Sequence, residues 1–537
     1  MIKITDLIIP LTYNMKMLED IAAKRLCIDC NRIKSLIITK RSVVALNKQD
    51  IHFKMTIAVS VSGDENDIKA VERDKYVSKE LKNVYIILKG EKLKERPVVV
   101  GSGPAGLFAA LILAQAGARP IMLERGLDVD SRRQSISKFW QTGTLDIDSN
   151  VQFGEGGAGT FSDGKLKVGS KDYRKLKVLS EFVEAGAPPE IMYLSKPHIG
   201  TDRLSETVKG IRKKIISLGG EVRFNAVVTE VLRKDGQVRG VGFVEKGIYT
   251  ELSTDNAVLA IGHSARDTFQ SLLSSGIYME QKPFSLGVRI EHPQQMIDEI
   301  KYGAFAGHPA LGAADYKMVV HLPNGRNVFT FCMCPGGTVV AATSEKNCLV
   351  TNGMSEYARD GRNANSALLV TLDKKDFGSD HPLAGVMFQR KIEEAAFAAG
   401  GGGYKAPVQR LDDFIKKQNT TVLGDLSPTY LPATELAEVD SYLPDYIANS
   451  MRQGILEMDK WMPGFAFPDA ILTGAETRST SPVRIKRGDS FEALGIEGLY
   501  PCGEGAGYTG GIISAAVDGM ICAEQILDKR AHIREEC

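Results

Sequence analysis

Val98-Val99-Val100-Gly101-Ser102-Gly103-Pro104-Ala105-Gly106, answered downstream by Leu123-Glu124-Arg125-Gly126, is the stretch that decides the fold. It predicts a short buried strand, a glycine turn, an apolar helix from about Leu107 to Ala116, and a second strand ending in an acid. Each part suits a dinucleotide. Gly101 permits the tight turn, Gly103 lets the backbone approach a pyrophosphate, and Gly106 allows close helix–strand packing. The helix N-terminus, beginning at Pro104 and Ala105, offers the unpaired N–H groups of its non-proline residues and the positive end of its dipole to the phosphates. Glu124, followed by Arg125, stands where a carboxylate can accept both ribose hydroxyls.

The glycines alone do not establish this. With 53 glycines in 537 residues, chance gives about one Gly-x-Gly-x-x-Gly in every two such chains. Two further matches occur, at Gly154-x-Gly156-x-x-Gly159 and Gly505-x-Gly507-x-x-Gly510. The first lacks a preceding apolar strand and the second lacks a following strand that ends in an acid. Only the match at Gly101 completes strand, turn, helix, strand and acid; the plainer alternative is a tight turn in some other α/β unit.

Working outward, 537 residues with 43% hydrophobic and 25% charged content describe an ordinary globular protein of several domains. The formal net charge of +1 gives no global attraction to nucleic acid or membrane. Residues 1–97 nevertheless carry +6, which leaves the remainder near −5. The N-terminus has no signal-peptide pattern and the longest apolar run, Leu107–Ala116, is far shorter than a membrane span. Eight cysteines in such a chain suggest reduced thiols. A cytoplasmic location without membrane attachment is expected.

The fold class expected is α/β: a Rossmann-type domain with an inserted mixed α+β substrate domain and a small N-terminal α+β domain. Residues 1–94 read as β-α-β-β-α-β, a ferredoxin-like order, with strands Ile2–Ile9, Ile33–Thr39, His52–Val61 and Val84–Leu88. Its helices are expected near Lys16–Leu26 and Asp64–Asp74, and a polar linker at 89–97 follows. Residues 95–285 form the first part of the nucleotide-binding domain, with helices near Tyr173–Ala185 and Arg203–Leu218. A strand meander at Val222–Leu232, Gln237–Glu245 and Gly247–Leu252 closes on the apolar strand Ala257–Gly262. Residues 286–470, with few long helices expected, are the inserted domain, and 471–537 return to the first domain through Gly498–Gly505 and a helix to about Leu527.

Three segments together resemble the two-dinucleotide-fold flavoproteins that include glutathione reductase: the unit at 98–126, the run from Phe224 to Gly262, and the Gly503-Glu504-Gly505 segment before the last helix. The resemblance implies FAD, with backbone near Val228 at the adenine, Gly262 alongside the cofactor, and Glu504 beside its ribityl or phosphate part. A helix starting near Gly511-Ile512 would turn its positive end toward the flavin's pyrimidine carbonyl and favour the reduced ring; a plain packing helix is the alternative. Longer strings, Phe153 to Leu166, Lys282 to His292, Thr330 to Gly337, Asp360 to Asn365 and Glu476 to Arg484, resemble a bacterial and plastid family known only as FAD-dependent, or NAD(FAD)-utilising, dehydrogenases. That resemblance implies the cofactor and fold but no substrate; Gly157, Gly159 and Thr160, within the first of these strings, are further candidate cofactor contacts.

Only one complete Rossmann unit is present, so NADH or NADPH, if used, would act as a transient electron donor without a fold of its own. A protein or small-molecule redox partner is equally open. Cys332-x-Cys334 ends an apolar strand, Asn327–Phe331, and either thiol could relay electrons or donate a proton; buried packing is the alternative. Cys27-x-x-Cys30 has no partner pair and reads as coincidence. His263 is a candidate acid or base, or else a structural group. Arg289 and Glu291 alternate onto one strand face, as in a salt-bridged surface. Arg478 and Arg484 flank Ser479–Pro482 and suit an acidic small-molecule substrate.

The activity expected is hydride transfer between a small molecule and bound FAD. One rival is a flavin-dependent RNA-modifying enzyme, suggested by the basic N-terminal unit, although the stacking aromatics of RNA-binding modules are scarce and no nucleic-acid partner is expected. The other is a flavin-binding interaction protein without turnover.

Overall fold

The computed structural model describes residues 1–65, 68–79, 85–87, 93–166, 169 and 172–535. Val98–Val100 forms the middle of a five-stranded sheet ordered Leu499–Pro501, Ala257–Leu259, Val98–Val100, Ile121–Leu123 and Glu221–Arg223, with every neighbouring pair parallel. Such a sheet must be covered on both faces, which is why its three central strands are unbroken apolar runs. On one face lies the helix Pro104–Gln115, with proline in its first turn and Leu107 through Ala114 all buried. The final helix, Ile512–Glu535, packs against it. The opposite face carries the antiparallel meander Ala226–Lys234, Gln237–Glu245 and Ile248–Ser253. The expected strand Val222–Leu232 is in fact two, because Asn225 adopts φ 54° between them.

A seven-stranded sheet occupies the middle of the chain, ordered 319–321, 327–334, 363–372, 284–293, 471–476, 406–410 and 434–436. Its apolar face packs on the 17-residue helix Asp445–Trp461 and near the 16-residue helix Ala384–Ala399. Long helices are therefore present where few were expected, because their stripes are interrupted by polar and small residues. The strand Phe284–Pro293 runs through the 285/286 boundary, and Ile471–Glu476 pairs with it. The chain thus rejoins the nucleotide-binding sheet only at Leu499.

The N-terminal strands Ile2–Ile9, Ile33–Val44, His52–Val61 and Val77–Lys79 form one antiparallel sheet in the order second, third, first, fourth. Asn14 caps the helix Met15–Leu26 by accepting from the Met17 N–H at 2.9 Å. The second helix is a single turn, Ala70–Arg73. The last strand lies at Val77–Lys79, earlier than the Val84–Leu88 segment, where residues 85–87 are not a strand and Val84 and Leu88 fall outside the described residues. Residues 89–92 of the linker at 89–97 are outside them too. No helix among the described residues is long and apolar enough to cross a membrane.

Candidate functional site

The C-terminal ends of the three central parallel strands open onto one pocket of about 1040 Å³, a volume that includes space open to solvent. Ligands of open α/β sheets bind at this edge. The turn Gly101–Ala105 forms its floor, Gly157 and Gly159 one wall, Val228 and Gly262 another, and Gly503, Glu504, Gly511 and Ile512 the far end. Sequence reading therefore brought together segments some 400 residues apart in the chain, from Gly101 to Ile512.

The glycines divide into those that serve packing and those that serve a ligand. A methyl on Gly106 would stand 1.9 Å from the Gly101 carbonyl oxygen, so Gly106 is required by the protein itself. A methyl on Gly103 would meet only the Gly157 Cα, at 3.9 Å, and on Gly262, Gly510 or Gly511 it would meet nothing within 4 Å. Those positions line or border the pocket, and the space their missing side chains leave is a cradle for a bound molecule. Thr160 lies behind the wall, fully buried, with its hydroxyl donating to the Glu155 carbonyl at 3.3 Å.

Glu124 is buried at the pocket edge. One oxygen accepts from the Ser102 N–H (2.8 Å) and hydroxyl (2.6 Å), the other from the N–H groups of Gly126 (2.9 Å) and Gly154 (3.0 Å). These four donors match the roughly four lone-pair directions of a carboxylate, so the acid first fastens the glycine turn to the Gly154 loop. Arg125 closes the same end, bidentate to Asp267 at 2.6 and 3.0 Å and stacked 4.3 Å from the Phe153 ring centre.

Arg132 is a functional residue the sequence did not reveal. Its guanidinium is fully buried and donates to the carbonyls of Asn150, Val151, Gly154, Glu155 and Gly157 at 2.6 to 3.2 Å. It thereby moulds the loop that carries Gly157. Burial pulls its pKa down to about 10, with Glu124 and Glu155 opposing the shift. At the far end, Asp518 accepts from the Gly503 N–H at 2.7 Å and pairs with Arg487.

Of the four candidate catalytic side chains, His263 lines the pocket. Its Nδ1 lies 3.0 Å from the Ser264 hydroxyl, which donates to Gln152 Oε1 at 3.1 Å. Burial, then the nearby Arg478 and Arg266, pull its pKa down to about 3, so the ring is neutral at physiological pH and has no proton to give as an imidazolium. Arg478 is outside the pocket lining. It donates to both Glu393 oxygens, at 2.9 and 3.1 Å, and to the Ser344 hydroxyl at 2.6 Å. Arg266 grips the same carboxylate at 2.7 and 2.9 Å. Despite burial, the two arginines hold the Glu393 carboxyl well below the usual range. Arg478 is thus committed to Glu393 and Ser344 outside the pocket lining, and is not placed to meet a substrate inside it.

Cys332 and Cys334 also lie outside the lining. Cys334 is buried, and burial pushes its thiol up. Cys332 is exposed and sits at φ 41° where the strand register breaks. Arg289, fully buried and not on a surface, pairs with Glu476 and donates to the Cys332 carbonyl at 3.2 Å. Glu291 is likewise buried, accepting from Thr429 and Asn363. From the pocket side, the Lys165 ammonium reaches the Met333 carbonyl, so the loop after Thr160 touches the strand that carries Cys332. Cys27 ends the first helix at φ 56° and Cys30 opens a short 3-10 turn, and among the described residues neither belongs to a group of potential metal ligands.

Residues 96–147 match the family described as "FAD binding domain", and residues 283–479 match "FAD-dependent protein, C-terminal domain-like". An uncharacterised protein of Clostridium beijerinckii is 48% identical over 531 residues, which covers 98% of this chain and 99% of that one. Among solved structures, the flavin-dependent brominase Bmp2 aligns over 81% of this chain and 79% of its own at 14% identity and TM-score 0.39. A geranylgeranyl bacteriochlorophyll reductase-like protein from Thermoplasma acidophilum aligns over 82% and 83% at 12% identity and TM-score 0.37. The first of these matches covers the glycine turn and Glu124, so the pocket belongs to an FAD-binding domain.

Proposed function

We infer the activity from one premise: the chain belongs to the same family as the Clostridium beijerinckii protein, built on an FAD-binding domain. The reading it supports best is a flavin-dependent oxidoreductase that moves a hydride between a small-molecule substrate and bound FAD. The observation that carries it is the single pocket joining the Gly101–Ala105 turn to Glu504 and the start of the last helix. A dinucleotide in it would lay its pyrophosphate over the first helix N-terminus, with Glu124 and Gly511 both in the lining. FAD, when bound there, supplies a two-electron acceptor.

The protein's own residues then have separate tasks. Gly101, Gly103, Pro104 and Ala105 receive the phosphates; Gly106 keeps the helix against the strand; Gly157 and Gly159, held by Arg132, form the wall; Val228 and Gly262 run alongside. The N-terminus of the Ile512 helix favours negative charge at the far end. Cys332 is the candidate proton carrier for the substrate side, its carbonyl fixed by Arg289. We read the chain as an N-terminal unit, an FAD-binding domain and an inserted domain whose seven-stranded sheet takes in both Phe284–Pro293 and Ile471–Glu476, in the two-dinucleotide-fold arrangement, with NADH, NADPH or a redox partner as electron source.

The test is anaerobic stopped-flow mixing of the FAD-loaded protein with NADH, NADPH and a metabolite library. Rapid bleaching of the flavin by one of them, reversed by an acceptor, is expected. A protein that remains colourless after incubation with FAD refutes the cofactor; a loaded protein that no donor bleaches refutes the turnover and favours an interaction role.

A further inference from the structure

His263 sits at a position from which its ligand can be deduced. It follows the strand Ala257–Leu259, which lies between Val98–Val100 and Leu499–Pro501. The imidazole therefore stands midway between the pyrophosphate turn at Gly101–Gly103 and the segment at Gly503–Glu504, and it lines the pocket both of them form. The parts of a dinucleotide that flank its pyrophosphate are sugars, which bring hydroxyl groups.

The hydrogen bonds around the ring fix its protonation. Gln152 Nε2 donates to the Ala342 carbonyl at 2.9 Å, which sets the amide orientation and leaves Oε1 toward Ser264. An amide oxygen only accepts, so the Ser264 hydroxyl must spend its one proton on Gln152 at 3.1 Å. The Ser264 oxygen can then only accept from His263 Nδ1, 3.0 Å away. Nδ1 carries the proton, and Nε2 is left as a lone pair. No described protein group reaches Nε2 by a hydrogen bond, so its lone pair is open to a donor from a ligand in the pocket that the residue lines.

We propose that His263 is a tautomer-locked hydrogen-bond acceptor for a sugar hydroxyl of the bound dinucleotide, oriented by the Gln152–Ser264 relay, and that it transfers no proton. The proposal rests on the pocket being the FAD site. The charged groups facing the ring agree with it. Arg266 and Arg478 oppose a second proton, Lys282 adds to them, and Glu393 is consumed by the two arginines. Glu124, Arg125 and Glu504 stand on the other pocket walls.

Nitrogen-15 NMR of histidine-labelled protein reads the state directly. Between about pH 5 and 8, a protonated Nδ1 and a bare Nε2 are expected in the apoprotein, without titration. FAD should then shift the Nε2 resonance. An Nε2–H tautomer, or a ring that charges within that range, overturns the proposal. Fluorescence titration of FAD supplies the second readout. His263→Leu should bind FAD about ten-fold more weakly, the size of one buried hydrogen bond. His263→Gln, whose amide oxygen can stand where Nε2 was, should lose less, and Ser264→Ala should weaken binding while releasing the tautomer lock. Unchanged FAD affinity in His263→Leu overturns the proposal. Wild-type protein that takes up no FAD refutes the pocket assignment instead, with the apoprotein spectrum still deciding the tautomer.

Discussion

Gly103→Ala separates ligand binding from folding, because the structure assigns the two tasks to different glycines. Gly103 has φ −68° and ψ 179°, a conformation open to any residue. The added methyl would touch only the Gly157 Cα, at 3.9 Å, an ordinary contact. The apoprotein should therefore keep its stability or gain up to about 0.4–1 kcal/mol from a stiffer unfolded chain. The methyl occupies the floor on which the pyrophosphate must rest. Displacing the phosphates from the first helical turn forfeits about two hydrogen bonds to a charged group, each worth about 1.5–3 kcal/mol. The sum is about 3–6 kcal/mol, or two to four decades in FAD affinity. Thermal melting of the apoprotein and fluorescence titration of FAD measure both quantities in one preparation. Gly106→Ala is the control: its methyl would lie 1.9 Å from a carbonyl oxygen, so folding itself should fail. The reasoning is refuted if Gly103→Ala binds FAD within about threefold of wild type, or if its apoprotein melts well below wild type.

Glu393→Gln should destabilise the protein by about 3–5 kcal/mol in chemical denaturation, because Arg266 and Arg478 would stay buried without their counter-charge. Glu393's carboxyl is held below its ordinary value, so its contribution is present above about pH 4.5 and fades as the pH falls below it; acid-side denaturation curves of wild type and variant should converge. Burial holds His292 near pKa 4 while the unfolded chain titrates near 6.5. Stability should fall from pH 6.5 toward 4 by about 1.4 kcal/mol per unit for this group, and His292→Gln should flatten the slope by one proton. Brief alkylation of native protein followed by mass spectrometry should modify the exposed Cys27 and Cys332. The buried Cys334, Cys348, Cys502 and Cys522 should react only in denaturant; early labelling of Cys334 would contradict the packing around Arg289.

What the sequence disclosed, and what it did not, follows from how far each constraint reaches along the chain. The glycine turn, the helix after Pro104 and the acid at 124 are set within about 25 residues by local sterics and dipole, so their spacing alone identifies them. The charged clusters are not local. Arg266 and Arg478 meet at Glu393 from 127 and 85 residues away, and Arg289 reaches Glu476 across 187. Strand alternation correctly grouped Arg289 with Glu291, but period two cannot tell a solvated face from one covered by the hairpin 338–341/351–354, and here the face is covered. Arg132 lay on a helix whose other charges face solvent, and nothing nearby in sequence marked it as the clamp on the Gly157 loop.

The same distinction settles what His263 can be. A histidine after a strand-ending glycine can be an imidazolium with two donor nitrogens or either of two neutral tautomers with one donor and one acceptor, and the sequence leaves all three open. Its state depends on Ser264, one residue away, but the direction of that hydroxyl depends on Gln152, and the direction of Gln152 on the carbonyl of Ala342. Three segments that share no local pattern thus convert a generic imidazole into a group with one available lone pair. A side chain so fixed is suited to holding a ligand in register and unsuited to shuttling protons. If the proposed hydride transfer needs an acid–base partner, Cys332 is the remaining candidate, on the strand that Arg289 and Lys165 both reach.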